Sequence, residues 1–576
     1  MYTLGINAVY HDPSACLVSD GQLIAAAEEE RFTHIKHGKR PLPFTTWELP
    51  FHAIDYCLKE AAIRLVDVAH IAYSYDPFQL LGAHRREATI TLPLEPSAHP
   101  TSPEWEAAWD PLFLASIVNA PRQLASGAPH HLQERLSGAS ADGPYRWHFI
   151  DHHLTHAASA FHASPFDEAA VLTLDGRGER ATTSYSLGRG TTISRLGQVD
   201  MPHSLGLLYE EVTEYLGFLR SSDEYKVMAL ASFGSPRYLQ DFRQMIQLGE
   251  RGQYTIAPPE LEERFGPRRE PGGPLDARHY DIASSLQVAL EEAALAIADW
   301  LHGASGVDDL CLAGGVALNC VMNARLRDRG PFRRIWVQPA AGDAGTSLGA
   351  ALWIDASERG TSDRSYEMDH AYLGPSFDDR EIEAFLRWSK LPYRPLDDVP
   401  GDVANLLAQD KVVGWFQGRM EFGPRALGNR SMLARATDQK INDWLNKRLD
   451  RSEFMPFAPS VLAEHADAVF HGVGKARHTA EFMTITFDVR DEWKPRIPAV
   501  VHVDGTARPQ LVRREVNPLY HRLISAYHSL SGIPLVLNTS FNVHEEPIVC
   551  APPEAVRALV ERRVDCLAIG PFWLEN

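Results

Sequence analysis

The sequence predicts an α/β protein of two large parts, α+β in character towards its C-terminus, and three observations carry the prediction. At 576 residues the chain is too long for one hydrophobic core, which stops growing beyond about 250–300 residues. Strand-like runs broken by Asp-Gly turns alternate with helical periodicity over residues 2–354. The pattern then lapses over residues 362–374, SDRSYEMDHAYLG, and restarts. Domains of 1–365 and 366–576 are therefore expected.

The elements follow in order. TLGINA and SACLVS, then Asp20-Gly21, then QLIAAAEEER read as strands with a hairpin turn, because Asp-Gly supplies the positive φ that a tight hairpin needs. Residues 76–145 are rich in Pro, Ser and His with little periodicity. They predict short helices and a long loop, a substrate-facing insertion. AAVLTLDGRGERATTSYSL repeats the hairpin design around Asp175-Gly176, and residues 251–275 form a second irregular insertion. After a helical stretch at 281–302 come two strand–glycine turn–helix units, LCLAGGVALNCVMNARLRD and RIWVQPAAGDAGTSLGAALWI. Glycines at such a strand end let a helix N-terminus meet phosphate. Two Asp-Gly hairpins followed by a Gly-Gly turn, in that order, is the arrangement of the actin-like ATPase fold. Beyond residue 374, EIEAFLRW, KVVGWFQG and GIPLVLNTSFNVHEEPIV begin a fresh α/β pattern.

Composition narrows the function. A formal net charge of −19 argues against a nucleic-acid partner, since phosphate backbones demand clustered Lys and Arg. No apolar run approaches the roughly 18 residues of a membrane span, and the N-terminus lacks the basic region of a signal peptide. Six scattered cysteines without a CxxC pair suit a reduced, cytoplasmic protein.

DHHLTHAASA at 151–160 poses the sharpest chemical question. His152 and His156 stand at i and i+4, one helix face, and could grip one ion. A zincin is disfavoured because position 153 is His, not Glu. A polar helix start without an ion is the bland alternative, and spacing alone does not choose.

HDPSACLV, EEERFTHIKHG, HHLTHAASA, LTLDGRGE, SLGLLYEEVTEYLGF, AGGVALNCVMN, GDAGTSLGAAL, GRMEFGPRALGNRS, FMPFAPS, ARPQ and LNTSFN together resemble the NodU/CmcH-type O-carbamoyltransferases, the family of tobramycin O-carbamoyltransferase. The likeness runs nearly end to end, outside the two insertions. It implies an N-terminal actin-like domain similar to tRNA threonylcarbamoyladenosine transferase and a C-terminal YrdC-like domain. It also implies carbamoyl phosphate and ATP as co-substrates, carbamoyl adenylate as intermediate, and a small-molecule hydroxyl as acceptor.

By the same resemblance, His11 is the base and Lys36, Gly206, Gly314 and Asn319 contact the nucleotide. Arg425, Arg508, Asn538 and Ser540 match the carbamoyl-phosphate ligands. Before PFAPS the chain departs from the tobramycin-type enzyme: Met455 stands where an arginine is expected. Lys447, Arg448 or Arg451 would supply the charge, and Arg451 is favoured. Asp175 and Asp343 match metal ligands and would complete a site with His152 and His156. Two imidazoles and two carboxylates suit Fe2+, Mn2+ or Zn2+, and the resemblance favours iron. His153 is expected to face away. The alternatives are a carbamoyl or threonylcarbamoyl transferase acting on a macromolecule, disfavoured by the acidity and the missing zinc-finger pairs, and a non-catalytic nucleotide-binding module. The insertions favour a bulky, partly apolar acceptor, as in antibiotic tailoring.

Overall fold

The computed structural model describes residues 1–38, 48–84, 110–128, 132–362, 364, 366–449 and 456–575. The first sheet comprises β1 (Tyr2–Asn7), β2 (Ser14–Ser19), β3 (Gln22–Glu28), β4 (His70–Tyr73) and β5 (Arg146–Phe149), in the order β3-β2-β1-β4-β5. β1, β2 and β3 run antiparallel through the Asp20-Gly21 turn, while β4 and β5 extend the sheet in parallel. β6 (Glu168–Leu174), β7 (Ala181–Arg189) and β8 (Thr192–Asp200) begin a second sheet. A small hairpin of β9 (Ile246–Leu248) and β10 (Tyr254–Ile256) intervenes. β11 (Asp309–Ala313) and β12 (Arg334–Val337) complete the second sheet in the order β12-β11-β6-β7-β8. Three antiparallel strands joined to two parallel ones occur twice, in the same order and sense. This is the duplicated-half architecture of the actin-like ATPase fold.

Close packing at two glycines locks the halves together. Helix Ala344–Arg359 lies between β1 and helix His152–Phe161. A Cβ on Gly5 would stand 1.9 Å from the Ser347 carbonyl oxygen, and one on Gly349 would stand 1.8 Å from that of Thr155. Only glycine permits such backbone approach, and the approach brings Asp343, at the N-terminus of one helix, to the histidines opening the other.

The C-terminal part is α+β: an eight-stranded mixed sheet with Val413–Phe416, Arg430–Ala434, Leu535–Ser540 and Ala458–Leu462 adjacent at its centre. Helices Val399–Ala408 and Pro518–Ser531 pack together beside it. Within residues 362–374, where the sequence pattern lapses as in a linker, Met368, Ala371 and Leu373 are buried with Cys16, Val18 and Ala26. A second junction is polar. The Gly423 amide donates to Glu28 Oε1 at 2.8 Å, and Arg31 Nη2 donates to the Gly423 carbonyl at 3.0 Å. The GPRALG loop is thereby fixed to the end of β3.

The described part of residues 76–145 forms short helices, Phe78–His84, Asp110–Val118 and Ala120–Ser126. The second insertion is more ordered than its sequence suggests, holding β10 and helix Leu261–Phe265. Strands of three residues are too short for alternation to be read. Among the described residues no helix is long and apolar enough to cross a membrane.

Candidate active site

Asp151 caps helix His152–Phe161 by accepting the Leu154 amide at 2.7 Å, so the histidines begin on a fixed first turn. His152, His156, Asp175 and Asp343 are buried, and each offers a ligand atom within 4.8 Å of the others. His152 Nε2 lies 3.7 Å from Asp175 Oδ2 and 3.6 Å from Asp343 Oδ1. The corresponding distances from His156 Nε2 are 3.7 and 3.4 Å. These gaps are too long for hydrogen bonds. Among the described residues His152 Nε2, His156 Nε2 and both Asp343 oxygens have no hydrogen-bond partner, a costly condition for buried polar atoms. Ligands bonded to one ion at about 2.0–2.2 Å in a tetrahedral array stand about 3.4 Å apart. The set fits a divalent cation on spacing and on donor chemistry.

The surrounding residues orient these donors. His152 Nδ1 lies 3.0 Å from the Ser74 carbonyl and donates to it, leaving Nε2 as the donor atom for an ion. Asp175 Oδ1 accepts the Gly315 amide at 2.6 Å. Burial raises the Asp343 carboxyl, but the nearby His11 and His152 outweigh it and draw the group down to about 2. His153 lies outside the group. Its Nδ1 is 3.3 Å from Ser184 Oγ, and burial pushes it down to about 3, so it stays neutral.

His11 follows β1 in a turn held by Asn7, whose amide donates to the His11 and Asp12 carbonyls, each at 3.0 Å. Tyr10 and Asp12 take φ of 53° and 51°, the left-handed region that non-glycine residues adopt at a cost of order 1–3 kcal/mol. His11 Nδ1 is 2.9 Å from Asp12 Oδ2, and its Nε2 is 3.8 Å from Asp343 Oδ2. Asp12 reaches the other way with Oδ1, 2.8 Å from His37 Nδ1. Asp12 and His37 were not among the sequence candidates, although both adjoin residues that were.

Of these residues His11, Asp12, His37, Asp175 and Asp343 line one cavity of about 590 Å³, while His152 and His156 are not on its wall; the volume is well within the size of small-molecule sites. On the N-terminal side its wall includes Lys36, Gly206, Gly315 and Asn319. Gly314 itself lies behind the wall. Its φ is +91°, and an added Cβ would stand 2.1 Å from the Leu174 carbonyl, so it places the Gly315 amide rather than meeting a ligand. Gly206 passes the Asp175 carbonyl, where a Cβ would stand at 2.7 Å. The Asn319 amide is already engaged, exchanging hydrogen bonds with Gln287 and accepting the Met322 amide. Lys36 Nζ approaches Glu545 at 3.9 Å.

From the C-terminal side Arg425, Arg508, Asn538 and Ser540 line the same cavity. Among the described residues neither arginine has a hydrogen-bond or ion-pair partner, and Arg425 Nε is buried. Burial, and then the like charge of Arg508, push Arg425 down to about 9. Asn538 donates to Ala426 O and Ser460 Oγ, at 3.1 and 2.9 Å, and its own buried carbonyl oxygen has no partner among the described residues. Ser540 Oγ donates to Asn542 at 2.6 Å. Arg451 lies outside the described residues. Of its rivals, Arg448 is paired with Asp565 at 3.0 Å.

Two half-domains closing on a buried His/Asp cluster, with two arginines of the C-terminal part that are unpaired among the described residues facing the same cavity, make up the candidate site. The chain belongs to the carbamoyltransferase family. It matches the carbamoyltransferase N-terminus model over residues 2–79 and 144–352, and the carbamoyltransferase C-terminus model over 404–576. It is 39% identical to an uncharacterized protein of Synechocystis, covering 100% of this chain and 96% of that protein. It is 38% identical to nodulation protein NolNO of Sinorhizobium fredii over 99% of this chain and 80% of that one. NolO of Bradyrhizobium diazoefficiens is 39% identical over 74% of this chain and 79% of its own. HypF of T. kodakarensis aligns in structure with TM-score 0.33 and 14% identity, over 63% of this chain and 49% of that one. At that level the fold rests on the strand orders above.

Proposed function

We propose that the protein is an ATP-dependent O-carbamoyltransferase of small-molecule metabolism. It forms carbamoyl adenylate from carbamoyl phosphate and ATP and passes the carbamoyl group to an acceptor hydroxyl. The observation that carries this reading is the single cavity joining the unpaired Arg425 and Arg508 to His11 and to Asp175 and Asp343 of the His/Asp cluster. A phosphate dianion satisfies two unpaired guanidinium groups at once. A water oxygen bonds to the phosphorus of carbamoyl phosphate, the P–O bond to the carbamoyl group breaks, and phosphate is released there with carbamate as the leaving group. Carbamate oxygen then bonds to the α-phosphorus of ATP and pyrophosphate departs. Forming and using carbamate within one shared cavity limits its exposure to bulk water.

In the transfer step the acceptor oxygen bonds to the carbamoyl carbon and AMP leaves. His11, whose Nδ1 is oriented by Asp12, takes the hydroxyl proton at Nε2. His152, His156, Asp175 and Asp343 would hold the divalent cation, Fe2+ by family resemblance. When bound, the ion supplies Lewis-acid stabilisation of negative oxygen. The Gly315 amide and the Asp343 helix keep these ligands in place. The six cysteines are buried free thiols, in keeping with a cytoplasmic site of action. The test is ATP–pyrophosphate exchange: label should enter ATP only when carbamoyl phosphate is present. Exchange without carbamoyl phosphate, or none with it, sinks the reading.

A further inference from the structure

Arg177 is a cavity residue to which the chemistry above gives no role. Arg177 sits between Gly176 and Gly178, in the turn from β6 to β7, half-buried on the cavity wall. It makes no hydrogen bond or ion pair among the described residues. This is unexpected in a chain of net charge −19, and the nearby acids explain how it comes about. Glu179 spends its carboxyl on the Asp76 and His152 amides, at 2.7 and 3.0 Å. Glu210 is taken by Arg220 Nε and Ser221 Oγ, at 3.0 and 2.8 Å. The guanidinium instead lies over the ring of Tyr10, 5.9 Å from its centroid. That ring is stacked on Phe113 at 5.5 Å and meets Tyr75 edge-on at 6.0 Å.

An arginine held on an aromatic face, with its donors unspent, is a fork for a planar anion at the end of an apolar wall. Tyr10 immediately precedes His11, so a ligand on this wall presents its neighbouring atoms to the base. Phe113 belongs to helix Asp110–Val118, in the insertion expected to face the acceptor. The expected nucleotide contacts, Lys36, Gly206, Gly314 and Asn319, sit on other elements.

We propose that Arg177 binds an anionic group, a carboxylate or phosphate, on the acceptor, which is therefore an acidic hydroxyl compound with an apolar body. The proposal rests on the transferase reading above and deepens it by naming the acceptor class. It disfavours cationic aminosugars, which Arg177 would repel.

The probe is 3-phenyllactate, which carries a hydroxyl, a ring and a carboxylate, compared with its methyl ester by titration calorimetry. The wild type should bind the acid at least about ten-fold more tightly than the ester, the lower bound for a charge-assisted hydrogen bond. R177Q should erase that preference, R177K should keep part of it, and R425Q should leave it intact. Absence of a preference in the wild type, including no binding of either compound, overturns the proposal. So does a preference that survives R177Q or disappears in R425Q. If R177Q instead weakens ATP ten-fold and leaves the preference, the cation serves the nucleotide and the proposal is equally overturned. Pyrophosphate exchange by the same wild-type preparation reports separately on the transferase reading, so the two can fail independently.

Discussion

Replacing Arg425 should stabilise the ligand-free protein while destroying its anion site. Arg425 is drawn down to about 9 by burial and by Arg508. Set against an arginine's ordinary value, that corresponds to roughly 4–5 kcal/mol disfavouring the charge, at about 1.4 kcal/mol per factor of ten. The cavity is open to water, which screens part of this, and Gln loses some packing of the arginine stem. A net gain of roughly 1–2 kcal/mol for R425Q remains, to be read as a higher urea midpoint at unchanged slope. The sign with pH is fixed. Because the folded-state value is depressed, the penalty is complete below about pH 9 and relieved above it. The advantage of R425Q therefore shrinks as pH rises past 9. Inorganic phosphate should reverse the order, stabilising the wild type by mass action and leaving R425Q unmoved. A lost charge-assisted contact costs about 1.5–3 kcal/mol, roughly ten- to more than a hundred-fold in phosphate affinity. An R425Q protein less stable without ligand, yet binding phosphate as well as the wild type, would refute the pairing of Arg425 and Arg508 as an anion site.

Other predictions follow from the same contacts. D343N and H156A should each lose bound metal by at least about ten-fold on elemental analysis, since each removes a donor from the closed group, whereas H153N should retain it. H11N should slow acceptor carbamoylation by about 10²–10⁴-fold while pyrophosphate exchange persists; equal loss of both would assign His11 to the adenylating step instead. Burial and Asp151 push Glu179 up to about 8, so its neutral form prevails at pH 7. E179Q, isosteric with that form, should cost under about 1 kcal/mol in unfolding experiments, but E179A strands the Asp76 and His152 amides and should cost about 2–4 kcal/mol. G314A should be severely damaging, since its Cβ would meet the Leu174 carbonyl at 2.1 Å at a backbone φ of +91°. A loss above about 3 kcal/mol is expected.

The Asp-Gly hairpins and Gly-Gly turn were legible because turn chemistry is local: Asp20-Gly21 and Asp175-Gly176 announce their strands from two residues each. The duplication was announced by the recurring Asp-Gly hairpin, but the parallel pairings that complete each half, such as Gly5↔Ala72 and Cys311↔Val171, leave no local trace. In the site, His152 and His156 were readable from i, i+4 spacing, whereas Asp343 joins them only through the packing allowed by Gly5 and Gly349. Arg425 and Arg508 were found by motif, but their mutual repulsion and want of partners are tertiary facts. Asp12, His37 and Arg177 escaped notice for a related reason. Polar residues in turns are common, and only the cavity shows which of them face a ligand.

The central claim, that one chamber adenylates a carbamoyl group before transferring it, is tested most directly by rapid-quench mass spectrometry with the acceptor omitted. Enzyme mixed with ATP and carbamoyl phosphate labelled at the carbamoyl carbon should accumulate labelled carbamoyl adenylate, with equal release of phosphate and pyrophosphate. Formation of ADP instead, or AMP without the label attached, would contradict the account.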